Sequence, residues 1–197
     1  LYTFGDVNRD PRTRVISCTY MSLVDSTNLK IKPGRNVSKI DFFTVSTNTS
    51  NYKIIDTKAG NISTYTTELI LKNIDTTITA KIQTKKELIG TKSITTYKIL
   101  KSENIAFDHA KNIIYALDRL KNKVEYTDIA FSLMGEYFTL TNLQKCYEIL
   151  LDKPLLAANF RRKISHMVSE TDKITSGAGH RPSKLYKFNP DWHNNNF

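Results

Sequence analysis

The side chains with the clearest chemical potential lie together at residues 159–163, which read Asn-Phe-Arg-Arg-Lys. Arginine and asparagine form paired hydrogen bonds with base edges in the major groove of DNA, and lysine and arginine bind phosphates. A helix here would bury Phe160, Ile164 and Met167 on one stripe. The outward face would carry Asn159, Arg162 and His166, and Arg161 and Lys163 would flank the stripe. The pattern predicts a helix that reads DNA, with a solvated basic face as the alternative.

More basic residues follow this segment. Residues 159–187 hold seven Lys and Arg against two Asp and Glu. The run Gly179-His180-Arg181-Pro182 could place an arginine in a minor groove, since narrow grooves attract positive side chains. Lys184, just beyond it, could bind a phosphate. These positions add His180, Arg181 and Lys184 to the candidate DNA contacts, with a polar turn as the alternative at residues 179–182.

The elements that must position these residues are helices followed by a hairpin. Apolar residues at three- and four-residue steps from Ala106 to Leu120 predict an amphipathic helix. Three more helices are predicted: at 128–134, from Thr141 onward, and at 156–169. The helix that begins at Thr141 would have a capping box, which Gln144 completes. The core face of the Thr141 helix would be Leu143, Cys146, Tyr147 and Leu150. Strands at 171–175 and 183–188 around a flexible tip complete the order of a winged helix.

The first half of the chain is typical of β structure. Between Thr44 and Thr96, 18 of 53 residues are Ser or Thr, interleaved with aliphatic residues that favour strands. The predicted strands are 14–24, 40–46, 52–57, 65–72, 77–85 and 93–100, with loops that include 48–51 and 60–61. The alternation of Ile78, Ala80 and Ile82 with polar residues fits a half-buried antiparallel strand. A meander of hairpins is the simplest topology for this half. Because the β half is followed by a helical half, the fold class is α+β.

Composition narrows the function classes. The 197 residues carry a net charge of +10, which favours a polyanionic partner such as double-stranded DNA. No apolar run is long enough to span a membrane, and Cys18 and Cys146 are too far apart in sequence for a CxxC site. A cytoplasmic protein with no membrane partner is expected. The four histidines show no metal-ligand spacing, and no motif of a known catalytic class is present.

Several of these segments resemble the Nudix-related transcriptional regulators. The resemblance rests on residues 106–110 (Ala-Phe-Asp-His-Ala), 125–127, 138–141, 159–163 and 179–182, and on the start of the chain through Arg14-Val15. It implies a β-rich Nudix-like part at 1–103, a connecting helix at 104–124, a winged helix-turn-helix at 125–190 and a tail at 191–197. It also implies a homodimer that binds operator DNA and senses ADP-ribose or a related nucleotide or sugar. Arg9, Arg12 and Arg14 would then face the ligand's phosphates, unless they form a solvated basic loop.

The sequence departs from that family in one respect that matters for chemistry. A Nudix box needs spaced glutamates and an Arg-Glu pair on one helix, which hold the metal for pyrophosphate cleavage. No such cluster occurs here, and the chain begins where the box would have ended, so we expect an incomplete Nudix-like domain. This chain is expected to hold no cofactor and to be inactive, although an intact parent could bind Mg²⁺. The alternatives are a fragment of an ADP-ribose pyrophosphatase and a noncatalytic protein-binding winged helix.

Overall fold

The computed structural model describes residues 1–26, 29–175 and 182–195. The chain divides into two units. The first comprises Leu1–Met21 and Ile31–Ala116, and the second comprises Ser22–Lys30 and Leu117–Phe197. Helix α1 runs from His109 to Lys123, and the boundary between Ala116 of the first unit and Leu117 of the second lies within this helix.

The first unit is built on a four-stranded antiparallel sheet in sequential order. Its strands are β3 (Thr44–Thr57), β4 (Gly60–Lys72), β5 (Thr77–Ile89) and β6 (Lys92–Glu103), preceded by the short antiparallel pair β1 (Tyr2–Phe4) and β2 (Ser17–Thr19). The predicted meander of hairpins is confirmed. The strand predicted at 14–24 is much shorter, because only Ser17–Thr19 finds a partner.

The strands predicted at 40–46 and 52–57 were wrongly separated. The structure has one strand, β3, through the loop predicted at 48–51. The pairing with β4 shifts between Ser50 and Lys53, and Asn51 has a φ of 54°. Asparagine tolerates this left-handed conformation, so Asn51 forms a bulge and the strand continues through it.

The core of the first unit lies on one face of the sheet. Leu69, Ala80 and Ile82 are buried on this face, because Leu69 pairs with Ala80 and alternate residues share a side. The predicted alternation of β5 is therefore confirmed. Aromatic rings continue the same core, with the centroid of Tyr115 lying 6.0 Å from that of Tyr97 and 5.9 Å from that of Phe4.

The second unit has the element order of a winged helix. The last residues of α1 lead to a 3₁₀ helix (Ile129–Leu133), α2 (Leu140–Leu151), α3 (Ala157–Ile164), a 3₁₀ turn (Ser165–Met167), the hairpin β7 (Val168–Ile174) and β8 (Lys184–Phe188), and a 3₁₀ helix (Pro190–Asn195). Phe138 bridges to Tyr186 and adds a third segment to the hairpin. The helix predicted at 156–169 ends earlier, because Val168 and Ser169 pair with β8 instead.

An apolar cluster holds α2, α3 and the hairpin together. Its most buried members are Val124, Ala130, Leu143, Tyr147, Phe160 and Ile164. The rings of Tyr147 and Phe160 meet edge to face with centroids 5.2 Å apart. The predicted core face of α2 is correct for Leu143 and Tyr147. Leu151 is its third buried residue, whereas Cys146 and Leu150 are only partly buried.

The beginning of α2 also differs from the prediction. The N-cap is Thr139, whose hydroxyl accepts a hydrogen bond from the backbone N–H of Asn142 at 3.1 Å. Thr141 lies inside the helix, so the capping box predicted for Thr141 and Gln144 is wrong. The Gln144 amide donates instead to Glu148 Oε1 at 3.1 Å and to the carbonyl of Leu155 at 2.9 Å. It therefore helps to fix the turn between α2 and α3.

We expect Thr139→Ala to lower the free energy of unfolding by about 1 kcal/mol, because the mutation removes the N-cap hydrogen bond. Thr141→Ala is the matched control and should cost less, since Thr141 is exposed and alanine is a strong helix former. Urea unfolding followed by far-UV circular dichroism measures both. A larger loss for Thr141→Ala would contradict the assigned cap.

Candidate nucleic-acid interface

The candidate reading helix, α3, presents its polar side chains to solvent. Phe160, Ile164 and Met167 are buried, as the helical stripe predicts. The five predicted contact residues on this helix and its following turn are all exposed: Asn159, Arg161, Arg162, Lys163 and His166. Asn159, Arg162 and His166 lie opposite the buried stripe and define the outward face, at whose edge the ring centroid of His166 lies 5.9 Å from that of Trp192. Their contact with DNA stays a prediction.

The outward face is held in place at both ends of α3. At its start, Glu148 Oε1 accepts a hydrogen bond from the backbone N–H of Leu155 at 2.9 Å, and Asp152 ends α2 in the left-handed conformation. At its end, the Ser165 hydroxyl donates to the carbonyl of Arg162 at 3.0 Å, and the Asn189 amide donates to the carbonyl of His166 at 3.2 Å. The bonds from Leu155 and Asn189 join the two ends of α3 to other elements, so the helix cannot rotate to bury its basic side without losing them.

The side chains of the outward face form only a weak hydrogen bond with one another. Arg162 donates to Asn159 Oδ1 over a long 3.5 Å, so both groups can exchange this bond for one to a base edge at little cost. The pKa of Tyr186 is raised by burial and by the contact with Glu170, and the charge of Arg161 opposes this shift weakly.

The hairpin, the wing of the winged helix, carries an arrangement that sequence reasoning missed. Lys184 Nζ lies 2.7 Å from Glu170 Oε2, and the Tyr186 hydroxyl donates to Glu170 Oε1 at 3.0 Å. Tyr186 pairs with Glu170 across the hairpin, which puts both side chains and Lys184 on one face. The prediction ended the helix at residue 169 and started the strand at residue 171, so it left Glu170 outside the hairpin. His180 and Arg181 lie outside the described residues.

Ionic contacts shift the pKa values on this face. The hydrogen bond from Lys184, followed by that from Tyr186, lowers the pKa of Glu170. The same contact with Glu170 raises the pKa of Lys184. Lys173 is held differently, with Nζ 3.5 Å from the ring centroid of Tyr137 in a cation–π contact that keeps its positive charge.

The arginines predicted to face a ligand have different surroundings in the first unit. The side chain of Arg9 is 6% exposed and forms a two-pronged ion pair with Asp108, with Nε–Oδ2 and Nη2–Oδ1 distances of 2.9 and 2.8 Å, and it also donates to the Ser17 hydroxyl. Its hydrogen bonds are thus directed into the protein. Asp108 stands 99 residues away in sequence, and no local pattern marks it as the partner.

Arg12 and Arg14 remain at the surface. Arg12 forks onto Asp10 and lies 4.9 Å from the ring centroid of Phe107, with its side chain 72% exposed. Its hydrogen bonds lower the pKa of Asp10 to about 2. Arg14 is also exposed. Both can still meet an anion, so the ligand role proposed for these two stays a prediction.

The carboxylates of the first unit do not converge. Each of six is paired with its own lysine or arginine: Asp6, Asp10, Glu68, Glu87, Glu103 and Asp108. Across the described ranges, no three His, Cys, Asp or Glu side chains lie close enough together to hold a metal ion. A divalent cation needs several oxygen ligands at one point, so the described residues do not fit the Mg²⁺ site of a Nudix enzyme.

The 3₁₀ helix at Ile129–Leu133, α2, α3 and the paired hairpin give the second unit the architecture of a winged helix, a class that includes many DNA-binding modules. The chain matches the family model described as the NrtR DNA-binding winged helix domain over residues 130–188. This match covers the winged-helix part of the chain only. In the described part of the chain, no helix is long and apolar enough to cross a membrane.

A curated relative extends this match. The ADPR responsive transcriptional repressor NtrR of Acinetobacter baylyi is 46% identical over 87 residues, which are 43% of this chain. The match spans only 34% of the relative's own length. A solved structure of Shewanella oneidensis NrtR complexed with a 27mer DNA is 31% identical over 51% of this chain and 48% of its own, with a TM-score of 0.41.

A third comparison concerns the fold of almost the whole chain. A MutT/nudix family protein from Enterococcus faecalis superposes over 96% of this chain and 59% of its own, with a TM-score of 0.60 and 20% identity. At that identity the likeness shows the fold alone. The resemblance to the Nudix-related transcriptional regulators is confirmed: the architecture is Nudix-like, and an NrtR-type winged helix forms its C-terminal part.

We expect Arg9→Ala to lower the free energy of unfolding by about 3 kcal/mol at pH 7, because it leaves the Asp108 carboxylate buried without its counter-charge. Arg9 lowers the pKa of Asp108, so the pair stabilises the fold above the pKa of about 3.9 that aspartate has when unfolded. That contribution is lost as the pH falls through the lower folded value. The deficit of Arg9→Ala should therefore shrink in acid.

Arg12→Ala is the matched control, since it breaks an arginine–aspartate fork of similar geometry at the surface. It should cost much less than Arg9→Ala, because solvent screens an exposed ion pair. Urea titrations of the three proteins at several pH values measure both effects. Equal losses for the two variants at pH 7 would show that burial of the Arg9 pair contributes nothing.

Proposed function

We propose that this protein is a cytoplasmic transcriptional regulator whose winged helix binds double-stranded DNA and whose Nudix-like part responds to ADP-ribose or a related nucleotide or sugar. The observation that carries the proposal is the outward basic face of α3 on an NrtR-type winged helix. The relative that is 46% identical over 87 residues is named as an ADPR responsive transcriptional repressor, which supports repression as the mode of action.

The proposed DNA contact follows from the chemistry of α3. The helix enters the major groove with Arg162 and Asn159 toward base edges, where Arg pairs with guanine and Asn with adenine. Arg161 and Lys163, on the flanks, bind phosphates and fix the register. The lysines of the wing extend this contact along the backbone, so binding weakens steeply as salt increases.

A homodimer completes the proposal. One winged helix reads a short site, and modules of this kind engage paired half-sites by two-fold symmetry. Two copies of α3 then lie one helical turn of DNA apart, and each copy reads the same bases. The effector would act by changing the spacing or the population of this DNA-binding arrangement.

We expect Arg162→Ala to weaken binding to specific DNA by about 1–3 kcal/mol and to affect random DNA much less, because it removes a base contact. The specific probe is a duplex that the full chain itself selects from a random-sequence pool. Arg119→Ala is the control, since it removes the same charge from an exposed position on α1. Fluorescence anisotropy titrations measure all affinities.

The reading-helix assignment would be refuted if Arg162→Ala bound the selected duplex as tightly as the wild-type chain. Circular dichroism must show that the variant is folded. If the wild-type chain selects no duplex, the DNA-binding proposal fails and the noncatalytic protein-binding module becomes the better interpretation.

The effector and assembly proposals share one experiment. We expect ADP-ribose to change the affinity of the protein for the selected duplex, and light scattering to show two chains per duplex. Assaying AMP in the same mixtures with Mg²⁺ distinguishes sensing from hydrolysis, and we expect no release. An affinity that is insensitive to ADP-ribose at millimolar concentration would contradict this effector, and one chain per duplex would contradict the dimer.

A further inference from the structure

The carboxylate of Glu170 is held on the wing by two hydrogen-bond donors. It accepts hydrogen bonds from Lys184 Nζ at 2.7 Å and from the Tyr186 hydroxyl at 3.0 Å. Lysine ammonium and phenol hydroxyl groups are donors that proteins commonly direct at phosphate oxygens. Lys184 and Tyr186 are two residues apart on β8, so their side chains share one face. Both therefore already bind an anion, which is the protein's own Glu170 carboxylate.

The surroundings of Glu170 make this arrangement persistent. Glu170 lies opposite Tyr186 in the hairpin register, and the backbone of Tyr186 is paired in turn with Phe138 through both its N–H and its carbonyl. The carboxylate is thus anchored on a three-stranded segment. The Glu170 and Lys184 side chains are nevertheless 58% and 52% exposed, so DNA can reach both.

We infer that Glu170 is an affinity-setting residue of the DNA-binding surface: its carboxylate competes with DNA phosphates for Lys184 and Tyr186 and so weakens binding to every duplex. This inference rests on the proposed DNA-binding function. A phosphate can take Lys184 only by displacing the carboxylate or by approaching within a few ångströms of a like charge, and either route opposes association.

The competition does not depend on base sequence. Because phosphates are the same on every duplex, Glu170 lowers the affinity for selected and random DNA by the same factor. Discrimination between them remains with the base contacts of α3. The consequence is that fewer molecules bind arbitrary DNA at a given concentration, while the preference for the specific site is preserved.

The test compares Glu170→Gln with the wild-type chain on the selected duplex and on a random duplex. Glutamine keeps an acceptor for Tyr186 and removes the charge, so the fold is maintained and the competition is lost. We expect affinity for both duplexes to rise by about two- to fivefold, the range of an exposed ion pair. The slope of log affinity against log salt should steepen by up to about one, because Lys184 then releases a whole counterion.

Two further variants separate competition from a general gain of positive charge. Asp172→Asn makes the same charge change on the same strand, and Asp172 acts on Lys184 only through its field. It should therefore give a smaller gain than Glu170→Gln. Lys184→Ala should weaken binding more in the Glu170→Gln background than in the wild-type background, because only there is the lysine fully available.

Each remaining outcome is decisive. If Glu170→Gln gains no more than Asp172→Asn, or if its gain is unchanged when Lys184 is alanine, the inference is wrong and the pair is only structural. If Glu170→Gln binds more weakly than wild type, Glu170 positions Lys184 and does not compete for it. If the wild-type chain binds neither duplex, the proposed function fails first, and the inference fails with it.

Discussion

The packing of Phe160, Ile164 and Met167 into the core of the second unit is the constraint on which the nucleic-acid surface depends. Burial of these three side chains fixes the rotation of α3, and the rotation decides which residues face solvent. The edge-to-face contact between Phe160 and Tyr147 ties this orientation to α2. A basic helix with no such stripe could roll, and its arginine and asparagine would have no fixed direction. Here an apolar interaction determines a polar function.

Sequence periodicity predicted this part of the structure because each of its signals is local. The stripe of α3, the alternation of β5 and the helix–helix–hairpin order all arise from neighbours within a few residues. The errors arose where partners are distant. Asn51 suggests a turn, and only pairing with β4 makes it a bulge. Thr141 and Gln144 fit a capping box, but the contact of Gln144 with Leu155 and the position of Thr139 decide otherwise.

The candidate ligand site shows the same limit more sharply. Arg9, Arg12 and Arg14 look alike in sequence, with similar spacing and charge. In the structure Arg9 is the counter-ion of Asp108, Arg12 is forked onto a neighbour two residues away, and Arg14 is exposed. Only the Arg12–Asp10 contact is local enough to be predicted. Charge alone could not separate an arginine that stabilises the fold from one that can meet an anion.

Pairing with a carboxylate decides how strongly a lysine or arginine attracts phosphate. In the first unit, seven of the sixteen lysines and arginines form an ion pair with a carboxylate, which reduces the attraction of those seven for phosphate. On α3, Arg161, Arg162 and Lys163 are exposed, and the described contacts of Arg162 are with the neutral groups Asn159 and Ser165. The wing lies between these cases, because Glu170 balances Lys184 while Tyr137 leaves the charge of Lys173 in place. Net charge therefore describes the chain poorly as a guide to a binding surface. What distinguishes α3 is that its exposed cations stand beside an outward asparagine and arginine, the side-chain types that pair with base edges.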